Sequence, residues 1–241
     1  MNDKIDQLKE QLADSQRIVF FGGAGVSTES GIPDFRSSEG LYMKDSGTRV
    51  AAEQMISHSF YKRYPKEFFK YYFENLVFED AKPNKAHLFL KELEDQGKEI
   101  SIVTQNIDGL HQKAGSSVVH ELHGSTLRNY CTKCHHPYGI SELELDQDGI
   151  PRCSKDGAIV RPDIVLYEEG LDQNVIQQAV QDIQRADMMM IAGTSLIVYP
   201  AAGLINYFNG DHLVAINKSS IRVPEGTLMF EDSISNVFSK L

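Results

Sequence analysis

The chain has 241 residues, 41% of them apolar, enough for one sizeable core with a smaller attached module. Its 24 basic residues against 34 acidic ones give a formal net charge of −10, which argues against nucleic acid as the main partner and against an anionic membrane surface. No apolar run approaches the ~20 residues that cross a bilayer; the longest, Met188 to Ala192, is strand-sized, and a cytoplasmic protein is expected, with a monomer favoured.

Ile5, Leu8 and Leu12 recur at helical spacing among polar residues and predict a short surface helix; Met1 to Ala13 lacks a signal-peptide layout. Arg17 to Phe21 is a buried strand that runs into the glycine turn Gly22-Gly23-Ala24-Gly25. Pro33 to Pro83 is helical and rich in aromatics (Phe60, Tyr61, Phe68, Phe69, Tyr71, Tyr72, Phe73), whose helical spacing without interleaved basic residues reads as packing. A helix over Ala86 to Gln96 and a turn at Gly97 precede the strand Ile100 to Thr104. Leu127 to Arg161 carries all three cysteines and few long apolar runs. A helix over Asn174 to Arg185, a strand Asp187 to Ala192 and a helix Ala201 to Phe208 follow. The strands Leu213 to Ile216 and Thr227 to Phe230 and a helix from Ser233 close the chain. Short apolar strands alternating with helices predict an α/β fold with a parallel sheet covered on both faces. The two segments that break this rhythm read as insertions that make a smaller lobe.

Gly23-Ala24-Gly25 after a strand is a credible phosphate cradle, since glycine allows close approach and a following helix N-terminus offers free N–H groups. The usual dinucleotide fingerprint has a third glycine where this chain has Thr28, and a tight strand-to-helix turn explains the same residues equally well. The stretch continues through Val26-Ser27-Thr28-Glu29-Ser30-Gly31-Ile32-Pro33-Asp34-Phe35-Arg36, and over those fourteen positions, 23–36, it resembles the opening motif of the sirtuins, the NAD-dependent protein deacylases, of bacterial type. Further matches follow in the right order: Thr104 to His111 (Thr-Gln-Asn-Ile-Asp-Gly-Leu-His), Glu121-Leu122-His123-Gly124, Arg161 to Val165, Gly193-Thr194-Ser195-Leu196 with Pro200-Ala201-Ala202, and Asn217-Lys218. The resemblance spans nearly the whole chain. It implies one catalytic unit with a Rossmann-like large domain (1–32, 98–126, 158–241) and a small lobe made of a helical insertion (33–97) and a zinc module (127–157).

By resemblance, Gly23, Ala24, Gly25, Thr28, Phe35 and Arg36 line the NAD pocket, with Phe35 over the reacting ribose and Arg36 facing the pyrophosphate, whose oxygens a guanidinium fork can pair. Asp34 orients Arg36 or serves simple turn chemistry after Pro33. Gly193, Thr194, Ser195 and Asn217 belong to the same cofactor site. Gln105, Asn106, Ile107 and Asp108 lie just beyond a strand's C-terminal end, where open α/β sheets place ligands. The resemblance gives Ile107 and Asp108 the nicotinamide carboxamide, Gln105 the ribose, and Asn106 water and ribose; the residues alone also fit a loop capped by its own side chains. His123 is the implied general base, an imidazole being able to accept a proton near neutral pH. Among eight histidines only the Glu-Leu-His-Gly context singles it out; His111 reads as structural.

The implied reaction is attack of an acyl-lysine carbonyl oxygen on the nicotinamide ribose, with nicotinamide, free lysine and acyl-ADP-ribose as products. Val165 and Tyr167 would flank the acyl-lysine channel. Many relatives have Phe-Gly-Glu where this chain has Tyr167-Glu168-Glu169, which bears on how an extended peptide pairs there. Glu168 and Glu169 either favour basic residues near the target lysine or are solvated charges. Relatives that remove acidic acyl groups carry Tyr-x-x-Arg on a small-lobe helix; the helix around Phe68 to Leu76 has Glu74 and no arginine, so acetyl and similar small neutral groups are expected.

Cys131-x-x-Cys134, eighteen residues, then Cys153-x-x-Asp156 has the spacing of a four-ligand zinc module. Relatives have Cys at the last position, and zinc accepts carboxylate oxygen at ~2.0–2.2 Å as it accepts sulfur at ~2.3 Å. His135 or His136 as the substitute would strain the knuckle; a metal-poor module and a redox Cys-x-x-Cys are the other readings. Gly22 stands where relatives often have Thr. Mono-ADP-ribosyl transfer to a protein and a non-catalytic NAD-binding sensor are the competing functions; retention of Asn106, Asp108 and His123 favours deacylation.

Overall fold

The computed structural model describes residues 2–35, 40 and 50–241, and the structural statements below concern those residues. In chain order the elements are α1 (Asn2–Asp14), β1 (Arg17–Gly22), α2 (Ala52–Met55), α3 (His58–Arg63), α4 (Pro65–Asn75), α5 (Lys85–Asp95), β2 (Glu99–Thr104), α6 (Leu110–Lys113), β3 (Val119–Glu121), β4 (Gly124–Cys131), β5 (Pro137–Gly139), β6 (Glu144–Leu145), β7 (Pro151–Arg152), β8 (Val160–Ile164), α7 (Gln173–Arg185), β9 (Met188–Ala192), β10 (His212–Asn217), β11 (Leu228–Glu231) and α8 (Ile234–Phe238). None of the helices is long and apolar enough to cross a membrane.

Six strands form one parallel sheet in the order β11-β10-β9-β1-β2-β3. The chain starts in the middle, builds outward to β3, then returns beside β1 and builds the other way. That is the doubly wound Rossmann order, with its switch point between β1 and β9. The near-continuous apolar runs of β1 and β9 serve two faces by strict alternation. Ile18, Phe20, Met188 and Met190 pack with α1, α5 and α8, whereas Val19, Phe21, Met189 and Ile191 pack with Ala179 and Ile183 of α7. Ile5, Leu8 and Leu12 are buried in the first of these layers, so α1 is an amphipathic surface helix that covers the sheet, as its spacing predicts. α5, grouped by the sequence reading with the helical insertion of 33–97, buries Ala86, Leu90 and Leu93 in the same layer.

The helical insertion centres on aromatic packing, as its spacing predicts. Tyr61, Phe68, Phe69 and Tyr72 form one cluster with Ile164 and Leu166, the Phe68 and Phe69 rings meeting edge to face at 5.2 Å. Ser57 caps α3 by accepting the Phe60 N–H (3.2 Å), and Pro65 opens α4, where its missing N–H leaves no bond unmade. The cysteine-bearing segment adds a three-stranded antiparallel sheet, β5-β4-β8, that the sequence reading did not anticipate. The expected helix over 201–208 is a 3-10 stretch, Ala201–Tyr207. The glycine turn leads into two 3-10 turns, Ala24–Val26 and Thr28–Ser30, rather than an α-helix N-terminus.

Candidate active site

The glycines at the switch point answer first to each other. The Gly25 N–H donates to the Gly193 carbonyl at 2.8 Å, the Gly23 N–H to Ala192 at 3.2 Å, and the Gly193 N–H to Ile216 at 3.1 Å. A Cβ on Gly25 would lie 2.8 Å from the Gly193 Cα; one on Gly193, whose φ is +59°, would lie 2.5 Å from the Val26 nitrogen. The loops after β1 and β9 therefore interlock backbone to backbone, and only glycine fits on either side.

Above them a cleft of about 890 Å³ opens over the C-terminal ends of the central strands. It brings together Gly23, Ala24, Gly25, Thr28, Asp34 and Phe35 from the first loop, Gln105, Asn106, Ile107 and Asp108 from the loop after β2, and His123. Val165 and Tyr167 beyond β8, Gly193, Thr194 and Ser195 after β9, and Asn217 at the end of β10 complete the set. Arg36 lies outside the described residues.

Ser27 joins two of these loops and was passed over in the sequence, although it sits inside the opening motif. Its Oγ accepts from Asn106 Nδ2 (3.1 Å) and donates to Asp108 Oδ2 (2.7 Å), while Asp108 Oδ1 accepts the Leu110 N–H (2.9 Å). Burial raises the Asp108 carboxyl above its ordinary range against the pull of these two donors. Gln105 Nε2 donates to Thr194 Oγ1 at 3.1 Å and so ties the loop after β2 to the loop after β9.

His123 Nδ1 stands 2.9 Å from the Gln105 carbonyl oxygen. A carbonyl can only accept, so Nδ1 carries the proton and Nε2 keeps the lone pair. Burial lowers the His123 pKa, partly offset by that same bond. His111 is different in kind. It is buried with neither ring nitrogen partnered among the described residues, 4.7 Å ring to ring from His87. Burial, together with the neighbouring His87, holds its pKa at about 3, and burial holds His87 at about 4. Both are neutral packing residues.

The segment after β8 differs from its sequence reading. Glu168 adopts φ +76°, a conformation that disfavours any side chain by roughly 1–2 kcal/mol. Its carboxylate accepts the Ser59 N–H and the Ser59 hydroxyl, both at 2.8 Å. Glu169 accepts from Arg161 through both oxygens (2.8 and 3.0 Å), from His58 Nδ1 (2.7 Å) and from the Leu166 N–H (2.9 Å). Neither carboxylate is a free solvated charge or a free lure for basic peptides. The Tyr167 N–H and carbonyl are also engaged within the chain, with Ile56 O (3.1 Å) and His58 N (3.0 Å). Burial pushes the Glu169 carboxyl up, but the donors outweigh it and hold it at about 2. A depressed acid contributes stability above its unfolded pKa, near ~4.3, and that contribution fades as pH falls toward the folded value. Glu169→Gln is expected to lower stability at pH 7 by roughly 2 kcal/mol, between the surface and buried ion-pair ranges. It should also flatten the loss of stability between pH 4.5 and 2; urea unfolding at several pH values measures both.

Cys131, Cys134, Cys153 and Asp156 offer ligand atoms that all lie within 4.8 Å of one another. The Cys134 and Cys153 sulfurs are 3.7 Å apart, and Asp156 oxygens stand 3.4 and 3.6 Å from the Cys131 sulfur. A tetrahedral zinc with ~2.3 Å sulfur and ~2.1 Å oxygen bonds has ligand-to-ligand edges of about 3.5–3.8 Å, so the four donors fit. Outer hydrogen bonds hold these donor atoms as well. Lys133 and Cys134 N–H groups point at the Cys131 sulfur (both 3.4 Å), the Tyr138 hydroxyl at Cys153 (3.2 Å), and the Ala158 N–H holds Asp156 Oδ1 (3.0 Å). His135 and His136 are not members of this cluster among the described residues.

A model of the Sir2 family matches residues 23–200. A protein of Clostridium perfringens named NAD-dependent protein deacetylase is 56% identical over 100% of this chain and 99% of its own length. Proteins of the same name from Clostridium acetobutylicum and Staphylococcus aureus are 53% and 42% identical, over 98% and 100% of this chain and 96% and 99% of their own. Among solved structures, a Sir2 with deacetylated p53 peptide and 3'-O-acetyl-ADP-ribose superposes with a TM-score of 0.88 at 33% identity, covering 98% of this chain and 96% of that one. A Sir2 bound to acetylated peptide gives 0.84 at 32% identity over the same shares. A family model matched over most of the chain, with relatives identical at half their positions from end to end, makes this protein a member of the Sir2 family.

Proposed function

We propose that this chain is an NAD-dependent protein-lysine deacetylase that yields nicotinamide, free lysine and O-acetyl-ADP-ribose. The observation that carries the reading is His123, tautomer fixed by Gln105, in one cleft with the glycine cradle and the Asn-Ile-Asp loop. NAD supplies an activated glycosidic carbon. In this reading the chain's own residues bind, orient and move a proton. Gly23, Ala24, Gly25, Thr28, Gly193, Thr194, Ser195 and Asn217 hold the dinucleotide, with Asp34 and Arg36 toward the pyrophosphate and Phe35 over the ribose. Asp108, fixed by Ser27 and Leu110, and Ile107 hold the carboxamide. Gln105 and Asn106 orient ribose and water. His123 Nε2 takes the proton of a ribose hydroxyl. Val165 and Tyr167 flank the acyl-lysine, and the cleft walls exclude water from the reacting carbon.

Cys131, Cys134, Cys153 and Asp156 would hold a structural zinc. We place the lobes as a sheet domain and a small lobe of helices and zinc module, the helical insertion ending near residue 84, because α5 packs under the sheet. Acetyl-lysine proteins of the cytoplasm are the expected partners of a monomeric enzyme.

The test is nicotinamide release with an acetyl-lysine peptide and identification of both products. ADP-ribose found on protein, with the peptide unchanged, would replace deacetylation by transfer. Because burial lowers the His123 pKa, the neutral base persists as pH falls. The acid limb of kcat/KM is therefore expected below the ordinary histidine value of ~6.5; a limb at or above it in a pH 5–8 profile contradicts this assignment.

A further inference from the structure

Glu168 occupies a backbone position suited to glycine, at φ +76°. A side chain kept there needs a compensating use, and its two bonds to Ser59 supply one. Both partners sit at a junction. Residues Val165 to Glu169 form one wall of the cleft, and the Val165 N–H is bonded to the His123 carbonyl at 2.9 Å. Ser59 lies in the first turn of α3, in the helical insertion. The wall is thus anchored at one end to the backbone of His123 and at the other, through Glu168, to the small lobe.

We propose that Glu168 is a positioning residue for deacetylation, latching α3 to the channel wall through Ser59 and so setting the width of the peptide cleft. This rests on the deacetylase reading above. The Tyr167 backbone pairing with Ser57 and the His58–Glu169 bond hold the same junction independently, so loss of the latch loosens the cleft without unfolding the lobe.

The experiment measures peptide KM, kcat, NAD affinity and Ser59 amide hydrogen exchange for Glu168→Gln, Ser59→Ala and the double variant. Glu168→Gln should raise the KM for an acetyl-lysine peptide about fivefold, leave kcat and NAD affinity within about twofold, and speed exchange at Ser59. Ser59→Ala should lower peptide affinity similarly, and the double variant should be no worse than either single one. Glu168→Gly relieves the backbone conformation yet should show the same rise in KM. An unchanged KM, or additive effects, overturns the latch. A KM effect confined to peptides with Lys or Arg beside the acetyl-lysine also overturns it, since the carboxylate would then read substrate charge directly. Were the wild-type protein inactive on peptide, the deacetylase reading would fail while Ser59 exchange, which needs no substrate, still judged the latch.

Discussion

Replacing His123 with alanine is expected to lower kcat/KM for an acetyl-lysine peptide by roughly 10²- to 10⁴-fold, the usual contribution of a positioned general base. NAD affinity should change far less, since the glycine cradle and the Ser27-Asp108 pair do not depend on the imidazole. The geometry explains why no other histidine can substitute. His111 is buried with neither ring nitrogen partnered among the described residues, His87 is buried with its Nδ1 taken by the Asn84 N–H, burial holds them neutral at about 3 and 4, and neither lines the cleft. His120 is bonded to Asp182 at 2.7 Å and also lies outside it. The variant leaves the Gln105 carbonyl without its donor, a loss of about 1 kcal/mol that a melting curve would register separately from catalysis. Steady-state kinetics beside calorimetric NAD titration make the check, and a loss under tenfold would remove His123 from the base role.

Cys131→Ser is expected to empty the metal centre and unfold its module. The buried apolar set there is Cys131, Cys153 and Val160, with Tyr138, Leu143 and Ala158 half-buried around it, far too little to hold a fold by burial alone. Structural zinc contributes about 10–16 kcal/mol in small modules, and here it would replace a core. The damage would not stay local. β4 runs from Gly124, next to His123, out to Cys131, and β8 returns from Val160 to Ile164, next to Val165. These strands pair from Gly124 with Ile164 to Cys131 with Val160, so the cysteine cluster closes the far end of the β4–β8 pair, whose near end adjoins His123 and Val165, the base and channel wall of the proposed reaction. Loss of metal should therefore abolish deacetylation and lower the melting temperature by more than 10 °C, on the ~2–4 °C per kcal/mol scale of domains this size. Metal analysis beside calorimetry tests it: near one zinc per chain in the wild type, none in Cys131→Ser. A wild-type protein that carries no metal and melts like the variant would refute the assignment.

The sheet was legible where strands are buried on both faces. Met188 to Ala192 and Arg17 to Phe21 are unbroken apolar runs because each alternation meets a helix layer. β3 was not legible, being three residues of which two, His120 and Glu121, are polar. β4 lacks a clean alternation because its pairing with β8 shifts register between Ser125 and Asn129. The cluster of Cys131, Cys134, Cys153 and Asp156 could be read because each of its two pairs is local in sequence. Ser27 and Glu169 could not, because their partners, Asp108 and Arg161 with His58, come from other loops and lobes. The glycine loop reads as a phosphate cradle or a tight turn; that Gly23 and Gly25 also abut Gly193 could not be read, since no local pattern names that neighbour. Chemistry alone left His123 one histidine among eight, and the family motif made the choice.

The bond from Gly25 to Gly193 joins points with most of the chain between them, including the helical insertion and the metal module. Loop-closure entropy rises only logarithmically with length, so such a large excursion between β1 and β9 adds little to the equilibrium cost of folding. Its burden is kinetic, because distant strands must find each other before either loop is satisfied. In the proposed reading, the dinucleotide cradle exists only after that encounter. Dinucleotide at a hundredfold excess over its dissociation constant would stabilise the closed chain by about 2.7 kcal/mol, which makes the co-substrate a guardian of the topology that creates its own site.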